Sequence, residues 1–201
     1  MIRLLIADDQ ALVRGALSAL LGLEPDIEVV AEVGRGDEVV AAAIEARADV
    51  ALLDIEMPGM DGIAAAAALR SALPGCRVLI VTTFGRPGYL ARAMRSGASG
   101  FVVKDTPAAQ LADAVRRVAQ GLRVVDPALA ADSLAQGASP LTERETDVLA
   151  AARTGGSIAD IAQMLHLSEG TVRNHLSSAI GKTEGRNRAD AARIADENGW
   201  L

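Results

Sequence analysis

The sequence is poor in aromatic residues. Only Phe84, Tyr89, Phe101 and Trp200 occur among 201 residues, 2% of the chain. A platform that stacks single-stranded nucleic acid on successive rings needs more of them. The core must therefore be built from Ala, Val, Leu and Ile. There is one cysteine, Cys76, which excludes an internal disulfide and a multi-cysteine zinc site. The two histidines, His166 and His175, have no cysteine partner, which argues against zinc. No apolar run approaches the roughly 18 residues that a membrane span needs. The opening MIRLLIADDQ turns acidic at positions 8 and 9, unlike a secretory signal. The expectation is a cytoplasmic protein with no membrane association. Lysine is scarce as well. Lys104 and Lys182 are the only lysines among 20 basic residues, the rest being arginine.

What the chain does have is apolar residue in quantity. Half of it is hydrophobic and 23% is charged, which suits a folded core. Net charge is −6, split as −4 over residues 1–137 and −2 over 138–201. Bulk charge thus does not mark a nucleic-acid binder. Residues 170–193 depart from that balance, with Arg173, Lys182, Arg186, Arg188 and Arg193 against Glu184 and Asp190.

The chain has two halves with different patterns. Short runs rich in Val, Ile and Leu occur at 2–7, 27–33, 50–53, 78–81 and 101–103, as buried parallel strands do. Helix-length stretches separate them near 11–22, 37–48, 62–73, 87–96 and 107–120. Thr106 reads as a cap and Pro107 as the first helical residue of the last stretch. Five βα repeats predict an α/β fold, a doubly wound five-stranded parallel sheet, over residues 1–121. Between Phe84 and Tyr89 the chain reads Gly85-Arg86-Pro87-Gly88, and two glycines there weaken the start of the fourth helix. Residues 122–140 read as a linker with room for a short helix. Residues 141–201 show no strand signal and predict a small all-α domain. Thr142-Glu143-Arg144-Glu145 is a capping box for a helix near 143–153. Ser157 opens another near 158–165, Ser168 caps a third near 169–181, and a fourth runs about 187–198. A short helix, the turn His166-Leu167-Ser168 and a longer helix make a helix-turn-helix.

In a parallel α/β sheet, ligands gather at the carboxyl ends of the strands. The predicted ends carry Asp8 and Asp9, Asp54, Thr82 and Thr83, and Lys104. If the first and third strands are neighbours, three carboxylates share one pocket and repel. A divalent cation with oxygen preference relieves that, Mg2+ above all. Lys104 adds a point charge for an anion such as phosphate. Such a set suits phosphoryl transfer to a carboxylate. Taken singly, each residue has a plainer reading: a helix cap for Asp8, Asp9 or Asp54, a strand hydroxyl for Thr82, a core position for Phe101. Taken together, those readings require five coincidences at strand ends.

Asp8-Asp9, Asp54 with Met57-Pro58-Gly59-Met60-Asp61-Gly62, Thr82 and Lys104 resemble the receiver domain of two-component response regulators. Their intervals of 45, 28 and 22 residues fit as well. The resemblance implies that Asp54 accepts phosphate from a sensor histidine kinase. It implies Mg2+ ligation by Asp9, Asp54 and the Glu56 backbone carbonyl, with Asp8 assisting through water. Thr82 and Lys104 would contact the phosphoryl group, and Phe101 matches an aromatic switch position.

On the 169–181 helix, Gly170, Arg173, Asn174, Ser177 and Gly181 share one face, opposite Val172, Leu176, Ala179 and Ile180. Arg suits guanine and Asn suits adenine in a major groove. Thr171, His175 and Lys182 flank that face at phosphate range. Leu141–Glu145, Ile158–Leu165 and Leu167–Leu176 resemble the LuxR-type helix-turn-helix. The whole chain is therefore similar to NarL/FixJ-type response regulators. Its ending, Arg186–Arg193 through Trp200-Leu201, resembles a branch that includes a regulator of membrane-lipid desaturation. Thr183-Glu184 stands where the family usually has Leu-Gly, and Ser177 where many members have another cation. The resemblance implies a non-enzymatic transcription factor that forms a homodimer when phosphorylated and binds a two-fold-related double-stranded DNA site. Two rivals remain open. One is a phosphatase with a nucleophilic Asp, although such enzymes place it in an Asp-x-Asp pattern and Asp8-Asp9 are adjacent. The other is a receiver that binds DNA without phosphorylation. A nucleotide-binding loop is weaker, because Gly34-Arg35-Gly36 lacks the third glycine.

Overall fold

Six parallel strands order the first unit of the chain: β1 (Ile2–Ala7), β2 (Ile27–Val33), β3 (Val50–Leu53), β4 (Arg77–Thr82), β5 (Gly100–Val103) and β6 (Val124–Val125). They form one sheet in the order β2-β1-β3-β4-β5-β6. The computed structural model describes residues 1–83, 87–136, 139–153 and 155–201. The chain divides into two compact units, residues 1–85 with 90–131 and residues 132–201 with the short segment 86–89. The sheet belongs to the first of these.

The helices α1 (Ala11–Leu21), α2 (Val39–Glu45), α3 (Gly62–Ala72) and α5 (Ala108–Ala119) belong to the first unit, while α4 (Pro87–Ser96) and α6 (Pro127–Gln136) each have residues in both units. A single 3-10 turn, Gly36–Glu38, precedes α2. β3 is buried at every position, and β1 and β4 over most of their length, which is why these strands read as unbroken apolar runs. Leu4, Ile6, Leu52, Leu79, Val81 and Val102 pack in one cluster with Leu111, Val115 and Val118 of α5. Pairing in register sets Ala7 beside Leu53 and Thr82 beside Val103. The carboxyl ends of β1, β3, β4 and β5 therefore lie side by side.

Two expectations need correction. The sheet has six strands rather than five, because Val124–Val125 pair with Gly100–Phe101. A two-residue strand between Arg123 and Asp126-Pro127 is too short to leave an apolar run. Pro107 sits at the cap position of α5, not inside it. Its ψ of 140° is extended, its carbonyl accepts from the amides of Gln110 and Leu111, and no side chain caps the helix. Of the glycine-containing stretch after Phe84, residues 84–86 lie outside the described residues.

The second unit contains α7 (Glu143–Arg153), α8 (Ile158–Leu165), α9 (Glu169–Thr183) and α10 (Arg188–Glu197). Their apolar faces share one core of Val148, Leu149, Ile161, Val172, Leu176, Ala179, Ala191 and Ala195. Side-chain caps define the helix starts. Ser157 and Asp160 form a reciprocal capping box on α8, Ser168 accepts from Thr171 N on α9, and Asn187 accepts from Ala189 N and Asp190 N on α10. His166 ends α8 in the left-handed region at φ 54°.

Candidate functional site

In the first unit the site is an acid pocket bridged by one lysine. β1 delivers Asp8 and Asp9, β3 delivers Asp54, and β5 delivers Lys104. Asp8 and Asp54 are 1% and 4% exposed, so both carboxylates have left bulk water. The Lys104 ammonium lies 2.7 Å from Asp8 Oδ2 and donates to Asp54 Oδ2 at 2.9 Å. Asp54 Oδ1 accepts from Ile55 N at 2.8 Å, and Asp8 Oδ1 accepts from Gln10 N at 2.9 Å. Asp8 thus steadies the turn into α1, while Gln10, not an aspartate, occupies the cap position of that helix.

Burial is the largest influence on Asp54 and pushes its pKa up. Lys104 pulls the other way, the Asp8 charge adds to the rise, and the net direction is upward. Burial disfavours the Lys104 ammonium, yet its bonds to Asp8 and Asp54 prevail and hold its pKa above the ordinary lysine value.

One carboxylate oxygen each from Asp8, Asp9 and Asp54 lies within 4.8 Å of the others, and Asp9 is exposed on the open side. Asp8 Oδ2 is buried without an aligned hydrogen bond among the described residues; its ammonium neighbour is a charge contact. All-oxygen, multiply anionic donors, two of them buried with a single ammonium between them, fit a hard divalent cation. Glu56 follows two residues later with an exposed side chain. Thr82 is buried at the end of β4, and its carbonyl accepts from Lys104 N at 2.8 Å. Phe101 is fully buried in β5, opposite Ile80 and Val125.

In the second unit, Arg173, Asn174, Ser177 and Lys182 are exposed on α9, with Thr171 and His175 half-buried beside them. Val172, Leu176 and Ala179 face the core. Arg173 is held by Glu169 one turn earlier, at 2.7 Å. Lys182 is not free: its ammonium donates to Glu145 Oε2 at 2.7 Å, and its side chain keeps 36% exposure.

Glu145 is the residue whose reach the sequence reading missed. It is 5% exposed and accepts from Thr142 N, Ser178 Oγ and Lys182 Nζ, tying the start of α7 to α9. Burial opposes its charge, but Lys182, Ser178 and Thr142 together bring its pKa down to about 2. The capping-box motif signalled only the Thr142 contact.

Comparison with known proteins agrees with both halves. Residues 4–116 match the "Response regulator receiver domain" family and residues 139–195 match "Bacterial regulatory proteins, luxR family". The chain is 42% identical over 201 residues to transcriptional regulatory protein DesR of Bacillus subtilis (strain 168), covering all of both chains. It is 41% identical over 202 residues to response regulator RamR of Streptomyces coelicolor (strain ATCC BAA-471 / A3(2) / M145), covering 100% of this chain and 98% of that one. Among solved structures, response regulator ChrA of a heme-sensing two-component system matches at 33% identity with a TM-score of 0.59, over 100% of this chain and 98% of that one. The RcsB–DNA complex shares the fold alone, at 21% identity and a TM-score of 0.67 over 98% of both chains. The chain belongs to the NarL/FixJ-type response regulators, transcriptional regulators that join a receiver domain to a LuxR-type DNA-binding domain.

Proposed function

We propose that residues 1–121 receive a phosphoryl group on Asp54, and that this modification promotes dimerisation and DNA binding through residues 141–201, joined by 122–140. The observation that carries the reading is the buried Asp8–Lys104–Asp54 bridge at the carboxyl ends of neighbouring strands. An oxygen of Asp54 attacks the phosphorus of a phosphohistidine on a sensor kinase. The P–N bond breaks, its electron pair stays on the imidazole, which takes up a proton, and an acyl phosphate forms. Asp8, Asp9, Asp54 and the Glu56 backbone carbonyl would hold Mg2+, which when bound neutralises charge on the transferring oxygens. Lys104 leaves its carboxylate partners to hold the phosphoryl oxygens, and the Thr82 hydroxyl donates to them. Phe101 packs according to the state of that site. A receiver moved from 1:99 to 99:1 needs about 5.5 kcal/mol of differential stabilisation. Several charge-assisted bonds to phosphate have that capacity.

Arg173 and Asn174 read base edges in a major groove, with Ser177 beside them, while Thr171, His175 and Lys182 contact phosphates. Lys182 has three donors, so it can keep Glu145 and still donate to a phosphate. A two-fold DNA site read by two copies of α9 suits the isolated basic stripe of an otherwise acidic chain. The regulator acts in the cytoplasm; no helix among the described residues is long and apolar enough to cross a membrane. The test is intact-protein mass after incubation with acetyl phosphate and Mg2+, then DNA affinity with and without the phosphodonor. A gain of one phosphoryl group in the wild type and none in Asp54→Ala is expected. Equal phosphodonor response in Asp54→Ala would sink the assignment.

A further inference from the structure

Gly34-Arg35-Gly36 makes no phosphate loop, yet the structure gives Gly36 a definite place. Gly36 is buried, and its amide donates to Pro58 O at 3.1 Å. A Cβ on Gly36 would stand 1.8 Å from Met60 O and 2.7 Å from Met60 C, both backbone atoms. The contact is answered from the other side. Gly59 adopts φ +80°, and a Cβ there would lie 2.5 Å from the Asp37 carboxylate. The turn after β2 and the loop after β3 therefore interlock, Gly36 against the Met60 backbone and Gly59 against the Asp37 side chain. That second loop is closed at its base by Gly62 N donating to Ile55 O at 2.9 Å. It carries Glu56, two residues beyond Asp54. The three atoms nearest a Cβ on Gly36 all belong to Met60 and none to the acid pocket, so Gly36 can act on that pocket only through the loop.

We infer that Gly36 is a positioning residue for the cation site, fixing the 55–61 loop so that the Glu56 carbonyl is presented beside the Asp8, Asp9 and Asp54 carboxylates. The inference rests on the metal reading given above. Mg2+ demands near-ideal octahedral distances of about 2.0–2.1 Å and tolerates displaced ligands poorly. A methyl group on Gly36 must move the Met60 carbonyl by more than 1 Å to reach ordinary contact at about 3 Å or beyond. The loop then shifts, while the three aspartates, anchored on β1 and β3, stay.

The experiment is calorimetric titration of Mg2+ into the full-length, unphosphorylated protein. Wild type, Gly36→Ala and Gly75→Ala are compared; a Cβ at Gly75 meets nothing within 4 Å. Thermal unfolding of each is recorded alongside. The expected result is a Mg2+ dissociation constant raised 10–100-fold in Gly36→Ala, the range typical of lost outer-shell support, and unchanged in Gly75→Ala. Phosphorylation by acetyl phosphate should then recover in Gly36→Ala as Mg2+ is raised. If Gly36→Ala does not fold, Asp37→Ala replaces it. That variant removes the side chain wedged over Gly59 without adding bulk, and a several-fold loss of Mg2+ affinity is expected. Wild-type affinity in a folded Gly36→Ala overturns the inference and leaves the cation site standing. No Mg2+ binding by the wild type overturns the metal reading itself, and this inference with it.

Discussion

Replacing Lys104 by methionine keeps the length of the side chain and removes its charge. In the wild type that ammonium lies 2.7 Å from Asp8 and 2.9 Å from Asp54, with the three side chains 11%, 1% and 4% exposed. Without it, two buried carboxylates face each other uncompensated. Breaking a buried ionic group by removing one partner costs about 3–5 kcal/mol. A domain holds only about 5–15 kcal/mol in all, so the receiver remains folded but weakened. With a urea m-value of about 2 kcal/mol/M, the midpoint falls by about 2 M. Mg2+ reverses part of the loss. A cation at a hundred times its dissociation constant returns about 2.7 kcal/mol. It stabilises Lys104→Met more than the wild type, where the ammonium already occupies the acid pocket. The assay is urea unfolding in EDTA and in Mg2+, followed by pulsed hydrogen exchange in peptides covering β1 and β3. A variant that unfolds at the wild-type midpoint in EDTA refutes the reasoning. So does an equal response of both proteins to Mg2+, because then the ammonium is not what balances the pocket.

Other expectations follow from the second unit. Glu145 has its pKa lowered from 4.5 to about 2, so it favours folding above pH ~4.5 and loses that contribution as pH falls toward 2, up to about 3 kcal/mol. Glu145→Gln should flatten the acid limb of unfolding monitored by Trp200 fluorescence; an unchanged limb sinks the claim. Ser157→Ala removes the Asp160 N–H acceptor at 3.2 Å and should cost about 1 kcal/mol in the same urea assay. Arg173→Ala should lose about 1–3 kcal/mol at one base pair of the operator and relax its sequence there, measured by competition with point-substituted DNA. Lys182→Ala should weaken all sequences alike and lower the salt slope by about one. Sequence-selective loss at Lys182 would contradict a phosphate contact.

What was legible in the sequence was whatever depends on one strand or one helix. β1 and β3 announce themselves because each is buried through its last residues, and that burial leaves no polar interruption before Asp8 and Asp54. Once strands end in carboxylates and a lone lysine, parallel pairing alone brings the charges together. The α9 face was legible for the same reason: its exposed and buried positions follow helical spacing within a single element. β6 was not, since two residues carry no period.

The features that escaped depend on two segments meeting. Glu145 read as half of a capping box, and it does accept from Thr142 N. The same oxygen, Oε2, nevertheless also takes Lys182, 37 residues on, and Oε1 takes Ser178, 33 residues on, only because α7 packs against α9. Gly36 read as an incomplete phosphate loop, whereas its need for hydrogen in place of a side chain comes from the Met60 carbonyl across the site. Both cases have one physical root. A local motif fixes which groups a residue can bond, but burial decides whether an unmet lone pair or a missing methyl is costly enough to matter. Lys182 is the test of that distinction. On an isolated α9 it is a solvated cation; against Glu145 it is half of a bond network whose carboxylate is 6% exposed. If Lys182 contacts a DNA phosphate as proposed, it is shared between DNA and the fold. Its contribution to phosphate affinity should be smaller than that of a free surface lysine, and should rise toward the free value in Glu145→Gln.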